Sequence, residues 1–137
     1  VVEALNAAII LEKYNISAEV IDLRTLRPLD EEVILTSVKK TGRLLALDLG
    51  WSKYGVSSEI ISIVTQKIFE DLKSPPSRLG VKDTPIPSTR SLANLVYSSI
   101  GDIIDEVLNS LKLNIEIDKN LIPNIEDIPN KNFRGPF

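Results

Sequence analysis

The sequence predicts an α/β fold, a three-layer α/β/α sandwich with a mostly parallel sheet. Two short apolar runs of strand character, 18–26 and 43–49, alternate with segments in which apolar residues recur every three or four positions. Parallel strands are buried on both faces and are joined by crossovers that are usually helical. The alternation therefore predicts helices on both faces of the sheet.

The first predicted helix covers residues 1–13, where apolar side chains form two stripes at helical spacing. The sequence "YNIS" ends it. Residues 18–26 are then predicted to be a strand, with Ile21 and Leu23 on the same face. Pro28 ends the strand, since proline cannot donate to a strand ladder.

The second predicted helix begins after Asp30, a good N-cap residue, and runs to about Lys40. Two glutamates in its first turn and two lysines in its last turn match the helix dipole. The sequence Thr41-Gly42 ends it.

The middle of the chain is predicted to form a strand, a helix and a second strand. The run "RLLALDL", residues 43–49, has the continuous apolar character of a buried strand. After the loop "GWSKYG", a helix is predicted over residues 57–73, ended by Ser74-Pro75-Pro76. The sequence "SRLGV" is a short strand candidate, and "KDTPIPSTRS" is a proline-containing loop.

Ser99 and Asp102 form a plausible capping pair for the last predicted helix, which is strongly amphipathic and reaches Leu111. We therefore expect a domain over residues 1–112 and an irregular tail over 113–137 that lies across a surface, since the tail is too apolar for a solvated linker. The predicted core contains Val20, Ile21, Leu23, Leu44, Leu45, Leu47, Ile60, Val64, Ile103, Val107 and Leu111.

Composition excludes several functions. The 137 residues are 43% hydrophobic and 26% charged, which is typical of a soluble globular protein, and no apolar run approaches the roughly 20 residues of a membrane span. The net charge is −3 and no basic face is suggested, so nucleic acid is not an expected partner.

The start of the chain is unusual. With no methionine, and with Val1 already inside a helical pattern, the chain is expected to be a piece of a longer protein.

Catalytic groups are scarce. The chain has no cysteine and no histidine, so a thiolate metal site and a hydrolase triad are excluded. Arg24 and Arg27 have two interpretations: they bind a phosphate or carboxylate, or they pair with a neighbour such as Asp22 or Asp48 and hold a turn. The structural interpretation is favoured.

Trp51 and Tyr54 also have two interpretations, stacking on a ligand or acting as an interface or core anchor, and the second is favoured. The loop that carries them lacks the phosphate-loop pattern. The residues alone thus indicate a soluble α/β domain that is not catalytic by itself. Two rival functions stay open: a small transferase that uses Arg24 and Arg27 for an anionic substrate, and a stand-alone interaction module.

Longer motifs carry a resemblance. The segment "AEVIDLRTLRPLDEEVILTSVKKTGRLLALDLGW" is similar to the C-terminal domain of the beta subunit of thiamine-diphosphate-dependent 2-oxo acid dehydrogenases, a transketolase C-terminal-like domain. "DLGWSKYGVSSEI" and "KDTPIPSTRSL" follow in the family's order, and the match covers about residues 1–112. Leu49 and the Lys53-Tyr54 pair depart from the family's usual loop. The resemblance also implies a first strand before Val1, which this chain lacks.

The resemblance implies an assembly and partner-docking domain of a pyruvate, branched-chain or acetoin dehydrogenase. Thiamine diphosphate and magnesium would be bound by other domains, so the isolated chain would be inactive and contribute no catalytic, cofactor-binding or metal-binding residue. The implied partners are the alpha subunit, a second beta subunit and the binding domain of a lipoyl acyltransferase. Asp83 is the expected docking acid, and the interface candidates are Trp51, Tyr54, Phe133 and Phe137. The expected location is the bacterial cytoplasm or the mitochondrial matrix.

Overall fold

Two parallel strands form the centre of the fold. The computed structural model describes residues 1–89, 92 and 95–123. Strand β1, Leu45–Trp51, pairs with strand β2, Ser77–Val81. Leu45 lies opposite Ser77 and Leu47 opposite Leu79, and the register shifts before Trp51 meets Val81. The connection between the two strands contains a helix, as parallel pairing requires.

Four helices surround these strands in the described part of the chain: α1, Val2–Glu12; α2, Glu31–Thr41; α3, Val56–Ile68; and α4, Ile100–Leu111. Short 3₁₀ helices cover Phe69–Asp71 and Lys119–Leu121. The helix predicted over 57–73 thus ends earlier, at Ile68, and the strand predicted over 43–49 lies two residues later.

The core consists of two apolar clusters on opposite faces of the sheet. One joins α1 to α4 and is built from Ala7, Ile10, Leu11, Ile100, Ile103, Ile104 and Leu108. The other joins α2 to α3 and is built from Ile34, Val38, Ile60, Val64 and Ile68. Leu45 packs against the first cluster and Leu44 against the second, since successive strand residues point to opposite faces. The predicted α/β fold with helices on both faces is confirmed.

The strand predicted over residues 18–26 is wrong. This segment follows α1 without regular secondary structure, and residues 17–22 make no backbone hydrogen bond within the described part of the chain. A strand exists only where a neighbouring strand accepts and donates its hydrogen bonds. Instead, a cavity of about 790 Å³ is lined by this segment, β1 and residues of all four helices.

The same cavity explains the errors in the predicted core. Ile60, Val64 and Ile103 are buried as expected, but Leu47 is 41% exposed because it lines the cavity. The other predicted core residues are only half-buried: Val20, Ile21, Leu23, Leu44, Leu45, Val107 and Leu111.

The described part of the tail packs against the α1–α4 cluster. Ile117, Leu121 and Ile122 contact this cluster, and the Asp118 N–H donates to the Tyr14 hydroxyl oxygen at 3.0 Å. Residues 124–137 lie outside the described part of the chain, so the expected packing of Phe133 and Phe137 stays a prediction.

Helix ends match the caps read from the sequence. The Asp30 carboxylate accepts a hydrogen bond from the Val33 N–H at 3.2 Å, and Ser99 and Asp102 form a reciprocal capping box. Gly42 ends α2 in the left-handed conformation, with φ of 75°. A side chain there would also collide with Lys73, whose Cδ lies 2.6 Å from the position of a Cβ.

Replacing the cap should cost stability. Asp30→Ala removes the acceptor for the Val33 N–H and should lower the free energy of unfolding by about 1 kcal/mol in denaturant titrations. Asp105→Ala, at an exposed position within α4, is the matched control and should change little. Equal losses in the two variants would contradict the capping role.

One carboxylate ties the extended segment to α2. Glu19 accepts a hydrogen bond from the Ser37 hydroxyl at 2.6 Å and forms an ion pair with Lys40. The Lys40 ammonium, followed by the Ser37 hydroxyl, lowers the pKa of Glu19 from its ordinary value of 4.5.

This contact predicts a pH dependence of stability. Because the folded pKa of Glu19 is lowered, its contribution is complete above the unfolded value near 4.5 and is lost as pH falls through the folded value. Glu19→Gln should therefore be less stable than the parent at pH 7, and the difference should shrink as pH falls below 4.5 and through the folded pKa. Glu116→Gln, at an exposed tail position, should show no such trend. A Glu19→Gln difference that is constant with pH would contradict the prediction.

Candidate partner-docking surface

Three segments, 49–55, 82–89 and 95–98, meet where β1 and β2 end, and the first includes the last three residues of β1; we call them the loop face. The Ser52 N–H donates to the Val81 carbonyl at 3.0 Å, which joins the first segment to the end of β2. The Lys82 N–H donates to the Val96 carbonyl at 3.3 Å, which joins the second to the third. Ligand sites of open parallel sheets lie at this carboxyl edge.

Close backbone contacts shape the first segment. The Asp48 carboxylate accepts from the Gly50 N–H at 3.0 Å, and Tyr54 adopts a positive φ of 59°. A Cβ on Gly55 would lie 2.5 Å from the Trp51 carbonyl oxygen, so glycine is required there. The turn holds Trp51 and Tyr54 away from the core.

Large apolar side chains are exposed on the loop face. Tyr54 is 100% exposed, Leu49 85% and Trp51 57%, while Ile86 and Leu95 are also more than half exposed. Trp51 and Tyr54 are therefore not core anchors in this chain, and their predicted interface role stays a prediction. Several exposed apolar residues grouped in this way are typical of a protein–protein interaction site.

Asp83 lies on the same face, paired with a lysine. Its carboxylate contacts the Lys53 ammonium at 2.9 Å, with side-chain exposures of 62% for Asp83 and 59% for Lys53. An exposed pair of this kind contributes only about 0.2–1 kcal/mol, so it can exchange partners at little cost. The pair also links the segment of Trp51 and Tyr54 to the segment after β2.

Arg24 is engaged locally. Its guanidinium contacts the Asp22 carboxylate at 2.8 Å, and its own N–H donates to the same side chain at 3.4 Å. The Thr25 hydroxyl donates to the Pro28 carbonyl at 2.9 Å in the same turn. Arg27 is exposed, while Asp48 accepts from Gly50 rather than from an arginine. The arrangement favours a turn held by Asp22 and Arg24 over an anion site built from Arg24 and Arg27.

The residues near the start of α3 do not fit a diphosphate. The Asp48 carboxylate oxygen lies 3.3 Å from where a Gly55 Cβ would stand, next to the N-cap of the helix. A helix start attracts anions through its free N–H groups, but a carboxylate already there repels a second anion. Within the described residues, no group of three acidic side chains is placed to hold a metal ion. The carboxylate of Asp48 therefore disfavours a diphosphate at the start of α3.

Sequence reasoning missed some members of this surface. Lys53 was noted only as a departure from a family pattern, and its contact with Asp83 spans 30 positions. Outside the loop face, Arg78 of β2 donates to the Ser58 hydroxyl in the first turn of α3, a contact with no local signal. Leu49 was read as the end of a buried strand, so its exposure was not predicted.

No helix in the described residues is long and apolar enough to cross a membrane.

Comparison with known proteins gives a consistent result. The family model described as "Transketolase, C-terminal domain" matches residues 1–100. "Pyruvate dehydrogenase E1 component subunit beta" of Rickettsia bellii (strain RML369-C) is 44% identical over 104 residues, which cover 76% of this chain and 32% of the relative. The mitochondrial protein of that name from Pisum sativum is 45% identical over 101 residues, covering 74% of this chain and 28% of the relative. The chain thus spans about a third of the length of these relatives.

Proposed function

We propose, because the chain belongs to the transketolase C-terminal domain family, that it is the assembly and partner-docking domain of a 2-oxo acid dehydrogenase beta subunit. The relatives are named as beta subunits of pyruvate dehydrogenase, so pyruvate is the substrate we propose for the whole enzyme. The observation that carries the proposal is the exposed apolar loop face at the carboxyl ends of β1 and β2. Relatives are bacterial and mitochondrial, and the proposed location is the corresponding cytoplasm or matrix.

The contribution of this chain is binding rather than chemistry. Thiamine diphosphate, held with magnesium by other domains, would supply the decarboxylation. Asp48 next to the start of α3 supports placing the diphosphate elsewhere, and the isolated chain is proposed to be inactive. Residues 1–112 are the proposed family domain, since α4 ends at Leu111 and the tail follows it.

Two partners are proposed for the loop face. Leu49, Trp51 and Tyr54 would pack against the alpha subunit or a second beta subunit, because burying their apolar area is worth about 25 cal/mol per Å². Asp83 would face a basic side chain on the binding domain of a lipoyl acyltransferase. The exposure of Asp83 supports this assignment, because a carboxylate in a weak, exposed pair with Lys53 can exchange that lysine for a cation of the partner.

Neither rival function has a supporting contact. A transferase would need Arg24 free for its substrate, whereas Arg24 is paired with Asp22. A stand-alone module would explain the exposed apolar residues equally well, and the assembly experiment separates it from the proposal.

The assembly role predicts a loss of association. In the full beta subunit expressed with its alpha subunit, Tyr54→Ser and Leu49→Ser should reduce the assembled fraction in size-exclusion chromatography, because each removes exposed apolar area from the loop face. Phe69→Ser is the matched control, since Phe69 is 67% exposed but lies after α3. Normal assembly of both loop-face variants would contradict the proposal.

The docking role predicts opposite effects at the two ends of one ion pair. Asp83→Ala should weaken binding of the acyltransferase's binding domain by more than about tenfold, which corresponds to at least 1.4 kcal/mol. Lys53→Ala should leave binding unchanged or tighten it, because it frees Asp83 for the partner. Calorimetry with the assembled dehydrogenase measures both.

If Asp83→Ala and Lys53→Ala weaken binding of the acyltransferase's binding domain equally, the ion pair only organises the loops and the docking role is contradicted. Decarboxylation by the dehydrogenase without its acyltransferase is the activity control, and it should be unchanged in both variants.

A further inference from the structure

The outer side of α1 carries an apolar groove, which we call the α1 groove. Two large apolar residues of the helix border it, Leu5 at 47% exposure and Ile9 at 58%, and neither borders the cavity beside β1. The groove has a volume of about 260 Å³, whereas water takes about 30 Å³ per molecule in the liquid, so a large side chain fits into it. Its apolar lining is Leu5, Ala8, Ile9, Ile16, Ala18 and Val20.

The described part of the tail covers the neighbouring side of α1. The Asp118 N–H donates to the Tyr14 hydroxyl oxygen at 3.0 Å, just beyond the end of the helix. Ile122 then lies at the start of α4, where its Cδ1 is 3.9 Å from the position of a Cβ on Gly101. The tail therefore crosses the α1–α4 pair from the end of one helix toward the start of the other, and it packs on apolar side chains as it does so.

We propose that residues 124–137 continue across α1 and fill the α1 groove of the same chain, with Phe133 and Phe137 packing against Leu5 and Ile9. The two aromatic residues are the largest apolar side chains of this segment, and burying such surface is the main favourable term in a contact of this kind. The proposal thus gives a place to the packing that the sequence predicts for Phe133 and Phe137.

The segment is long enough to reach the groove. Ile9 is rotated by about 100° around α1 from Ile10, which belongs to the α1–α4 cluster. The groove therefore lies within about two helix diameters of the start of α4, roughly 20–25 Å. Residues 124–137 span about 45 Å when fully extended, at roughly 3.3 Å per residue.

The charges of the groove and the segment are complementary. Glu12 borders the groove and is exposed. Lys131 and Arg134 flank Phe133 in the sequence, so an aromatic residue that enters the groove brings cations to its rim. An apolar centre with a polar rim is the usual arrangement of a protein contact surface.

A second copy of the chain is a poorer occupant. A stable interface buries about 800 Å² on each partner, whereas the large exposed apolar residues of this groove are only Leu5 and Ile9, each about half exposed. A segment that is already attached also loses less freedom on docking than a separate molecule does. The inference concerns the chain's own tail, so it goes beyond the proposed assembly role and does not depend on it.

The test is photo-cross-linking in the full beta subunit assembled with its alpha subunit. Phe133 is replaced by the photoreactive amino acid p-benzoylphenylalanine, which keeps an aromatic side chain at this position. After irradiation, mass spectrometry identifies the linked peptides. The assembly is made from beta subunits of two isotopic compositions, so that a link within one chain differs in mass from a link between two chains.

The links should join position 133 to α1 or to residues 16–20 of the same chain. The double substitution Leu5→Ser and Ile9→Ser should lower the yield of this link by more than about fivefold, because it removes the apolar side chains that the segment buries. Phe69→Ser, at an exposed apolar position after α3, is the matched control and should leave the yield unchanged.

Links between two beta chains, links to the alpha subunit or to the loop face, or the absence of any link would overturn the proposal. An α1 link with equal yield in the double variant and the Phe69→Ser control would overturn it as well. Size-exclusion chromatography shows whether each variant assembles. If the double variant does not, Ile9→Ser alone is compared with the control by the same criterion.

Discussion

The parallel pairing of β1 with β2 is the contact on which the other features depend. It alternates Leu44 and Leu45 between two faces, and each face collects one apolar cluster from two helices. It also brings the ends of both strands to one edge, where the backbone bond from Ser52 to Val81 joins their loops. Without this pairing, the contact between Lys53 and Asp83 across 30 positions would have no support.

Features set by neighbouring residues could be predicted, and features set by distant ones could not. Asp30 caps α2 and Ser99 caps α4 through contacts within three residues, so both caps could be predicted from the sequence alone. Residues 18–26 have strand-like composition, and they are extended, but strand formation needs a partner that local preference does not supply. Leu47 was expected in the core for the same reason, and it is exposed because it borders the cavity beside β1.

In the candidate site, too, contacts between neighbouring residues could be predicted and contacts between distant residues could not. The turn held by Asp22 and Arg24 is a contact between residues two positions apart, and the sequence predicted it among its alternatives. Lys53 could not be identified as the partner of Asp83, because only the meeting of two loops brings them together. Trp51 and Tyr54 were recognised as notable residues, but their exposure depends on the turn that Gly55 permits.

The loop face and the cavity beside β1 differ in what they expose. On the loop face, apolar side chains such as Leu49 and Tyr54 meet water while their backbone is folded, so a partner needs only a complementary surface. Beside β1, a cavity of about 790 Å³ separates the strand from residues 17–23, and residues 17–22 make no backbone hydrogen bond within the described part of the chain. The side chains of the loop face can therefore contribute binding energy to an already folded subunit, whereas the cavity leaves the segment before α2 held by side-chain contacts such as Glu19 with Ser37 and Lys40.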